Sequence, residues 1–194
     1  MANSVKKATL KKDILEAAAE LFKEKGYAAT SVRELAQSVG LEASSLYNHI
    51  QSKEQMLQEI CMGNANKFTD GIEHILKTYS NPIEQLEQII KLHIDVAADS
   101  LSSVTVFNDE WKHLSPPYQE TFLKMRKSYE SKVLDIIKNG IESGVLRQVD
   151  PKITLYSFLT SLRWIHYWFK PGRISKERLY DNLRIIQLDG LKKE

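Results

Sequence analysis

Between Thr30 and Lys53 the chain gathers side chains suited to gripping a polyanion and to reading it. Double-stranded DNA asks for two jobs: holding phosphates and recognising base edges. For the first, Thr30 and Ser31 stand where a helix would begin, and free N–H groups and the helix dipole there favour an anion. Ser52 and Lys53 repeat the arrangement with a cation added. Arg33 lies within backbone reach, and Tyr47 and His49 offer hydrogen bonds to phosphate. For the second job, Glu42, Ser44, Ser45 and Asn48 would share the outer side of a short helix. An Asn amide matches an adenine edge, and a Glu carboxylate accepts from a cytosine amine. Lys6, Lys7, Lys11 and Lys12 form a basic arm with no acid between them, a further phosphate or minor-groove contact. Each residue alone has an ordinary reading as a cap, a half-buried tyrosine, a surface histidine or solvated chain. Their joint order around Gly40 carries the nucleic-acid reading.

Such groups need helices to place them, and helical spacing of apolar residues dominates the chain. The pattern predicts an all-α protein of about nine helices. Leu10, Ile14, Ala18, Leu21 and Phe22 mark the first, capped by Thr9 or Ser4 and stopped near Lys25-Gly26. Thr30 or Ser31 caps the second, which carries Val32, Leu35, Ala36 and Val39 and ends at Gly40. A short third helix covers residues 43–50, pinned by Leu41 and Leu46. Ser52 with Gln55 three residues on opens a fourth, reaching about residue 79. The fifth follows Pro82, and the sixth covers residues 104–114. Ser115-Pro116-Pro117 opens the seventh, Asp150-Pro151 the eighth (to Lys170-Pro171-Gly172) and Ser175 the ninth. The domains read as 1–52, a three-helix helix-turn-helix DNA-binding part, and 53–194, a larger helical body, whose effector-binding and dimerisation roles are implied by the family resemblance described below.

Bulk composition narrows the classes. A net charge of +2 rules out a polycation, so DNA binding must rest on local charge. Cys61 is the only cysteine, which excludes an intramolecular disulfide or a cysteine metal cluster within the chain. No signal-like segment opens the sequence, and the apolar stretch 155–169 is interrupted by Arg163 and His166 and too short to span a bilayer. The expectation is a soluble cytoplasmic protein with no membrane contact. No Gly-rich phosphate loop, G-x-S-x-G or H-E-x-x-H is present, and His74, His93, His113 and His166 lack metal-ligand spacing. No catalytic residue, metal or cofactor is assigned.

The segment from Phe22 to Leu57 resembles the TetR family of bacterial transcriptional repressors. The shared residues are Phe22, Gly26, Tyr27, Thr30, Ser31, Val32, Leu35, Ala36, Val39, Gly40, Leu46, Tyr47, His49, Lys53, Glu54 and Leu57. The resemblance implies phosphate contacts at Thr30, Tyr47, His49 and Lys53, and base contacts near Glu42, Ser44, Ser45 and Asn48. Glu42 stands where the family often has Ser or Thr, Ser44 where Gly is common, and Ile50 where Phe is usual. It also implies a homodimer reading a near-palindromic operator, built mainly from the last two helices, with an effector cavity within helices four to eight.

For that effector the candidate contacts are Phe107, Trp111, Tyr118, Phe122, Met125, Arg126, Tyr129, Arg163, Trp164 and Tyr167. The alternative is that the aromatics are packed core. Arg163 inside an apolar helix needs an anionic partner, either a ligand or an acid across the dimer. The pieces Glu110-Trp111, Leu114-Ser115-Pro116, Arg126, Tyr129-Glu130, Gly140, Gly144, Trp164, Trp168 and Pro171 resemble a branch responsive to fatty acyl-CoA or similar thioesters. Lys124, Arg126, Lys127 and Arg163 would then meet the CoA phosphates. A cationic aromatic drug is the other ligand class, met by Asp109 or Glu110 in an aromatic box. A helical interaction module that keeps the helix-turn-helix only as a scaffold is the rival from another class.

Overall fold

The computed structural model describes residues 2–192, with the side chains of residues 9–192. Among them the architecture is helical; the only extended pairing is one isolated antiparallel bridge, Leu146 to Lys192. The chain forms two compact units, one of Met1–Ala65 with Ser100–Leu123, the other of Asn66–Asp99 with Lys124–Glu194.

The first unit holds the turn around Gly40 and the helices that flank it. Helix α1 (Ala2–Lys25) ends where Gly26 adopts φ +82° and donates its N–H to the Phe22 carbonyl at 2.9 Å. Helix α1 begins at Ala2, ahead of both expected caps, Ser4 and Thr9. Helix α2 (Val32–Ser38) opens on a reciprocal cap: Ser31 Oγ accepts from Glu34 N–H at 3.2 Å, and Glu34 Oε2 accepts from Ser31 N–H at 2.8 Å. Gly40, at φ +69°, then turns the chain toward α3 (Ala43–Leu46). That helix is one turn long and passes into tighter bonds at Asn48 and His49, so the expected run to residue 50 is cut short. Helix α4 (Lys53–Thr78) starts where Ser52 Oγ accepts from Gln55 N–H at 3.0 Å.

Helix α5 (Pro82–Asp99) belongs to the second unit, and α6 (Leu101–Asp109) returns to the first, with a 3-10 turn (Trp111–His113) after it. Helix α6 starts three residues before the apolar pattern suggests, because Ser100 Oγ caps Ser103 N–H. It packs on α1 through a polar seam: Ser102 Oγ donates to Glu20 at 2.5 Å and accepts from Lys23 Nζ at 3.2 Å. Ile14, Phe22, Leu35, Leu46, Ile50 and Leu57 close this unit's core, each at most 1% exposed. Burying a side chain of that size contributes about 1.5–3 kcal/mol.

Helix α7 (Pro116–Glu142) gives its later part to the second unit, with α8 (Pro151–Arg163), α9 (Ile165–Trp168) and α10 (Lys176–Leu188). The expected eighth helix is thus divided at Trp164, whose N–H bonds back to Thr160 and Leu162. Helix α5 packs against α8, α9 and α10, and Leu86, Ile89, Ile90, Ile137, Phe158 and Ile165 fill the core. Gly71 lets α4 and α5 approach: a Cβ there would fall 2.6 Å from Leu92.

Candidate nucleic-acid interface and effector body

The helix-turn-helix presents a polar outer surface. Ser44 and Asn48 are exposed, Tyr47 is 52% exposed, and Ser45 is half-buried. Glu42 takes the N-cap position of α3 and makes no side-chain cap bond, so its carboxylate remains available at the surface. Arg33 is exposed near the start of α2. His49 is half-buried, and its Nδ1 is enclosed without a hydrogen-bond partner.

Three expected phosphate contacts have internal work instead of, or beside, an external role. Thr30 is 2% exposed, and its hydroxyl donates to the Gly26 carbonyl at 2.9 Å, so it braces the turn between α1 and α2. Ser31 is exposed but spends its hydroxyl on the cap of α2. Lys53 Nζ donates to the carbonyls of Tyr27 and Thr30, both at 2.8 Å, and sits 4.3 Å from the centre of the Tyr27 ring. The lysine that looks like a phosphate hook is therefore also the brace that ties the start of α4 to the turn before α2. Within the basic arm, Lys11 pairs with Glu59 at 2.8 Å and Lys12 with Glu16 at 3.5 Å. The side chains of Lys6 and Lys7 lie outside the described residues. Bonds from Lys25 and then from the backbone and hydroxyl of Ser31 hold the Glu34 carboxyl down at about 2.

The ten expected effector contacts do not form one group. Phe107, Trp111, Tyr118 and Phe122 fall in the first unit. There the Trp111 ring lies nearly parallel to Phe122, 5.6 Å away and 8° apart, with Phe107 edge-on to Phe122 at 5.2 Å. Phe122 is buried, whereas Tyr118 is exposed. Met125, Arg126, Tyr129, Arg163, Trp164 and Tyr167 fall in the second unit. A recess of about 250 Å³ brings Met125 and Tyr129 together with Thr69, Ile72, Ser128, Lys124 and Lys132. Arg126 and Arg163 turn instead to one carboxylate: Glu130 Oε1 accepts from Arg163 Nη2 at 2.6 Å and from Arg126 Nε at 3.2 Å. The anionic partner expected for Arg163 is thus supplied by its own chain. Burial alone would raise Glu130, but the bonds from the two arginines outweigh it and hold the carboxyl below its usual value. Trp164 and Tyr167 are exposed, with their rings 4.7 Å apart.

His93, whose spacing fits no metal site, is an interior histidine with a hydrogen-bond partner. It is buried on α5, its Nε2 is 3.0 Å from the Tyr129 hydroxyl, and Phe68 lies 4.7 Å from its ring centre. Burial, aided by the charge of Arg163, depresses the imidazole to about 3, so it is neutral at physiological pH. Its place beside Ile89, Ile90, Ile94 and Ala97 on the apolar stripe of α5 was the available signal.

Among the described residues no group of three or more His, Cys, Asp or Glu side chains could hold a metal ion, and no helix is long and apolar enough to cross a membrane. Residues 14–60 match the family described as bacterial regulatory proteins, tetR family, and residues 79–191 match the tetracyclin repressor-like C-terminal domain. The chain belongs to the TetR family. It is a helix-turn-helix DNA-binding transcriptional regulator, from a family whose members dimerise and respond to small molecules. A relative, the HTH-type transcriptional repressor KstR2 of Mycolicibacterium smegmatis, is 30% identical over 187 residues, covering 95% of this chain and 91% of that one. The solved ketosteroid transcriptional regulator KstR2 of Mycobacterium tuberculosis superposes with a TM-score of 0.89 at 27% identity, over 95% of both chains. A second TetR-fold structure, AibR in complex with isovaleryl coenzyme A and operator DNA, gives 0.78 at 28% identity over 91% of this chain and 97% of that one.

Proposed function

We propose that this regulator is a cytoplasmic repressor whose dimer grips a near-palindromic operator and lets go when a CoA thioester binds. Residues 1–52 read the operator, and residues 53–194 bind the effector and the second copy. The observation that carries the DNA reading is the outer side of α3 and the turn after it. Ser44, Tyr47 and Asn48 project from one short turn, and Glu42 stands uncommitted at its start. Asn48 and Glu42, with Ser44 and Ser45, face base edges. Tyr47, His49, Arg33, Lys53 and the N-terminus of α2 at Ser31 face phosphates. The Thr30 hydroxyl serves only to shape that turn.

The second copy meets the outward aromatics and aliphatics of α8, α9 and α10, a surface too apolar to stay in water. The solved AibR complex with isovaleryl coenzyme A and operator DNA supports a CoA thioester as effector. The recess beside Met125 and Tyr129 offers an apolar floor for such a molecule, and at its edge stand Lys124 and Lys132, the latter paired with Glu73. An effector shifts the equilibrium only if it binds better to the state that cannot grip the operator.

Selection of bound duplexes from a random pool tests the first half of the reading. The expected product is an inverted repeat with half-sites about one helical turn, or a multiple of it, apart. Enrichment of no sequence would overturn DNA recognition. Titrating the selected duplex complex with acyl-CoAs, the matching free acids and CoA alone tests the second half. Release by thioesters is expected, and a complex indifferent to all of them overturns the effector assignment.

A further inference from the structure

The contacts of Tyr27 join two parts of the first unit that the helix-turn-helix motif treats as unrelated. Tyr27 is half-buried in the turn between α1 and α2, edge-on to Phe22 at 5.2 Å. The carbonyl of Tyr27 takes a bond from Lys53 Nζ, and its ring lies beneath the same cation. The Tyr27 ring is also stacked on His113, 5.5 Å away and 28° from parallel. His113 is the last residue of the 3-10 turn that ends the α6 segment. Glu110, which opens that turn, sits 3.4 Å from His113 Nε2, and its other oxygen lies 3.7 Å from where a Cβ on Gly26 would stand. The turn therefore leans on the α1–α2 corner through two side chains.

The opposite end of the same three-residue turn makes a second aromatic contact. Trp111 lies flat on Phe122. A single 3-10 turn thus holds the Phe107–Phe122 cluster at one end and Tyr27 at the other. Hydrogen bonds in a 3-10 turn are poorer than in an α-helix, and such short stretches serve as hinges. Movement at Trp111 cannot leave His113 in place unless the turn itself reshapes.

We propose that Tyr27 is a positioning residue for operator recognition, held in its reading arrangement from outside the helix-turn-helix by the ring of His113. His113 touches no DNA in this scheme. It raises the fraction of molecules in which Lys53, the Thr30 carbonyl and the start of α2 are aligned, and apparent affinity scales with that fraction. An aromatic pair of this kind supports a change of about three- to tenfold. The inference rests on the operator-binding reading above.

The test measures affinity for the selected operator duplex as a function of salt, for wild type, His113→Ala, His113→Phe, Tyr27→Leu and the Tyr27→Leu/His113→Ala double variant. His113 is exposed, so His113→Ala is expected to keep its fold, to be checked by circular dichroism. The expected result is about three- to tenfold weaker binding for His113→Ala with an unchanged salt slope, since no phosphate contact is lost. His113→Phe restores the flat ring and the affinity, and the double variant binds no worse than Tyr27→Leu. If Tyr27→Leu proves unstable, the two His113 variants decide alone. Wild-type affinity in His113→Ala, no rescue by Phe, or additive losses would each overturn the proposal. If wild type selects no operator at all, the reading beneath the proposal has failed, a separable outcome.

Discussion

Two surfaces of this protein face water for opposite reasons. On and just after α3, Ser44, Tyr47 and Asn48 are exposed and polar, and hydration costs them nothing. On α8, α9 and α10, Ile153, Tyr156, Trp164, Trp168 and Ile186 are exposed and apolar, with Ile153 and Ile186 each 70% exposed. The first surface can wait for its partner indefinitely and gain affinity from charge and hydrogen bonds. The second is unfavourable to leave in water, as uncovered apolar surface of that kind is, and on the reading proposed above it meets the second copy. A regulator needs that asymmetry: a standing assembly and a reversible grip.

The sharpest way to break the comparison is to make the apolar surface polar. Ile153→Asp combined with Ile186→Asp places uncompensated charges where a second copy would sit. The dimer dissociation constant, read by analytical ultracentrifugation, is expected to rise about a hundredfold or more. Thermal stability of the monomer should hardly change, since both residues are exposed. A dimer that survives intact would move the interface elsewhere.

A smaller effect sharpens the polar side. Tyr47→Ala should weaken operator binding about tenfold across sequences and leave the melting temperature unchanged. Lys53→Ala should weaken binding, make the salt slope shallower by about one, and also lower stability by about 1–2 kcal/mol. The last effect follows from its two bonds to the Tyr27 and Thr30 carbonyls. An unchanged melting temperature for Lys53→Ala would reduce it to a phosphate contact.

The smallest effects are titrations, and they separate the two units. Glu34 is held at about 2 by Lys25 and Ser31, below its ordinary value. Its contribution is complete above about 4.5 and disappears as pH falls toward 2. His93 is depressed to about 3 by burial, so its neutral form is favoured, and stability is lost as pH falls from about 6.5 toward that value. Amide protection, taken relative to the intrinsic exchange rate at each pH, should therefore fall first around His93 in the second unit, and only later at the cap of α2. The reverse order would show that the buried imidazole is not what makes that unit acid-sensitive.

The polar surface was legible from sequence because its code is local. Gly26, Gly40, the Ser31 cap and the short span from Glu42 to Lys53 act over a few residues, and their types name their conformations. Even there, sequence could not say that Thr30 points inward or that Lys53 bends back on Tyr27, contacts set by how helices pack. In the remainder of the chain, apolar spacing announced helices but not sides. Trp164 and Tyr167 obey the same periodicity as Phe158 and Ile165, yet one pair is outside and the other inside. Arg163 required an acid, but Glu130 lies thirty-three residues earlier, and no local pattern links them. The candidate effector contacts run from Phe107 to Tyr167 along several helices, and which of them share a unit depends on packing: the fold distributes them between two units.

Cys61 gives the first unit a chemical clock. Its thiol is fully buried on α4, 4.0 Å from the Val106 carbonyl of α6, and burial pushes it up to about 12. As long as those two helices stay together, a thiol reagent meets neither access nor thiolate. Because it is the chain's only cysteine, every alkylation event counts one opening, without any label having been added. The rate of that reaction, with operator and with effector present in turn, converts a static packing contact into a direct measure of how often this part of the regulator comes apart.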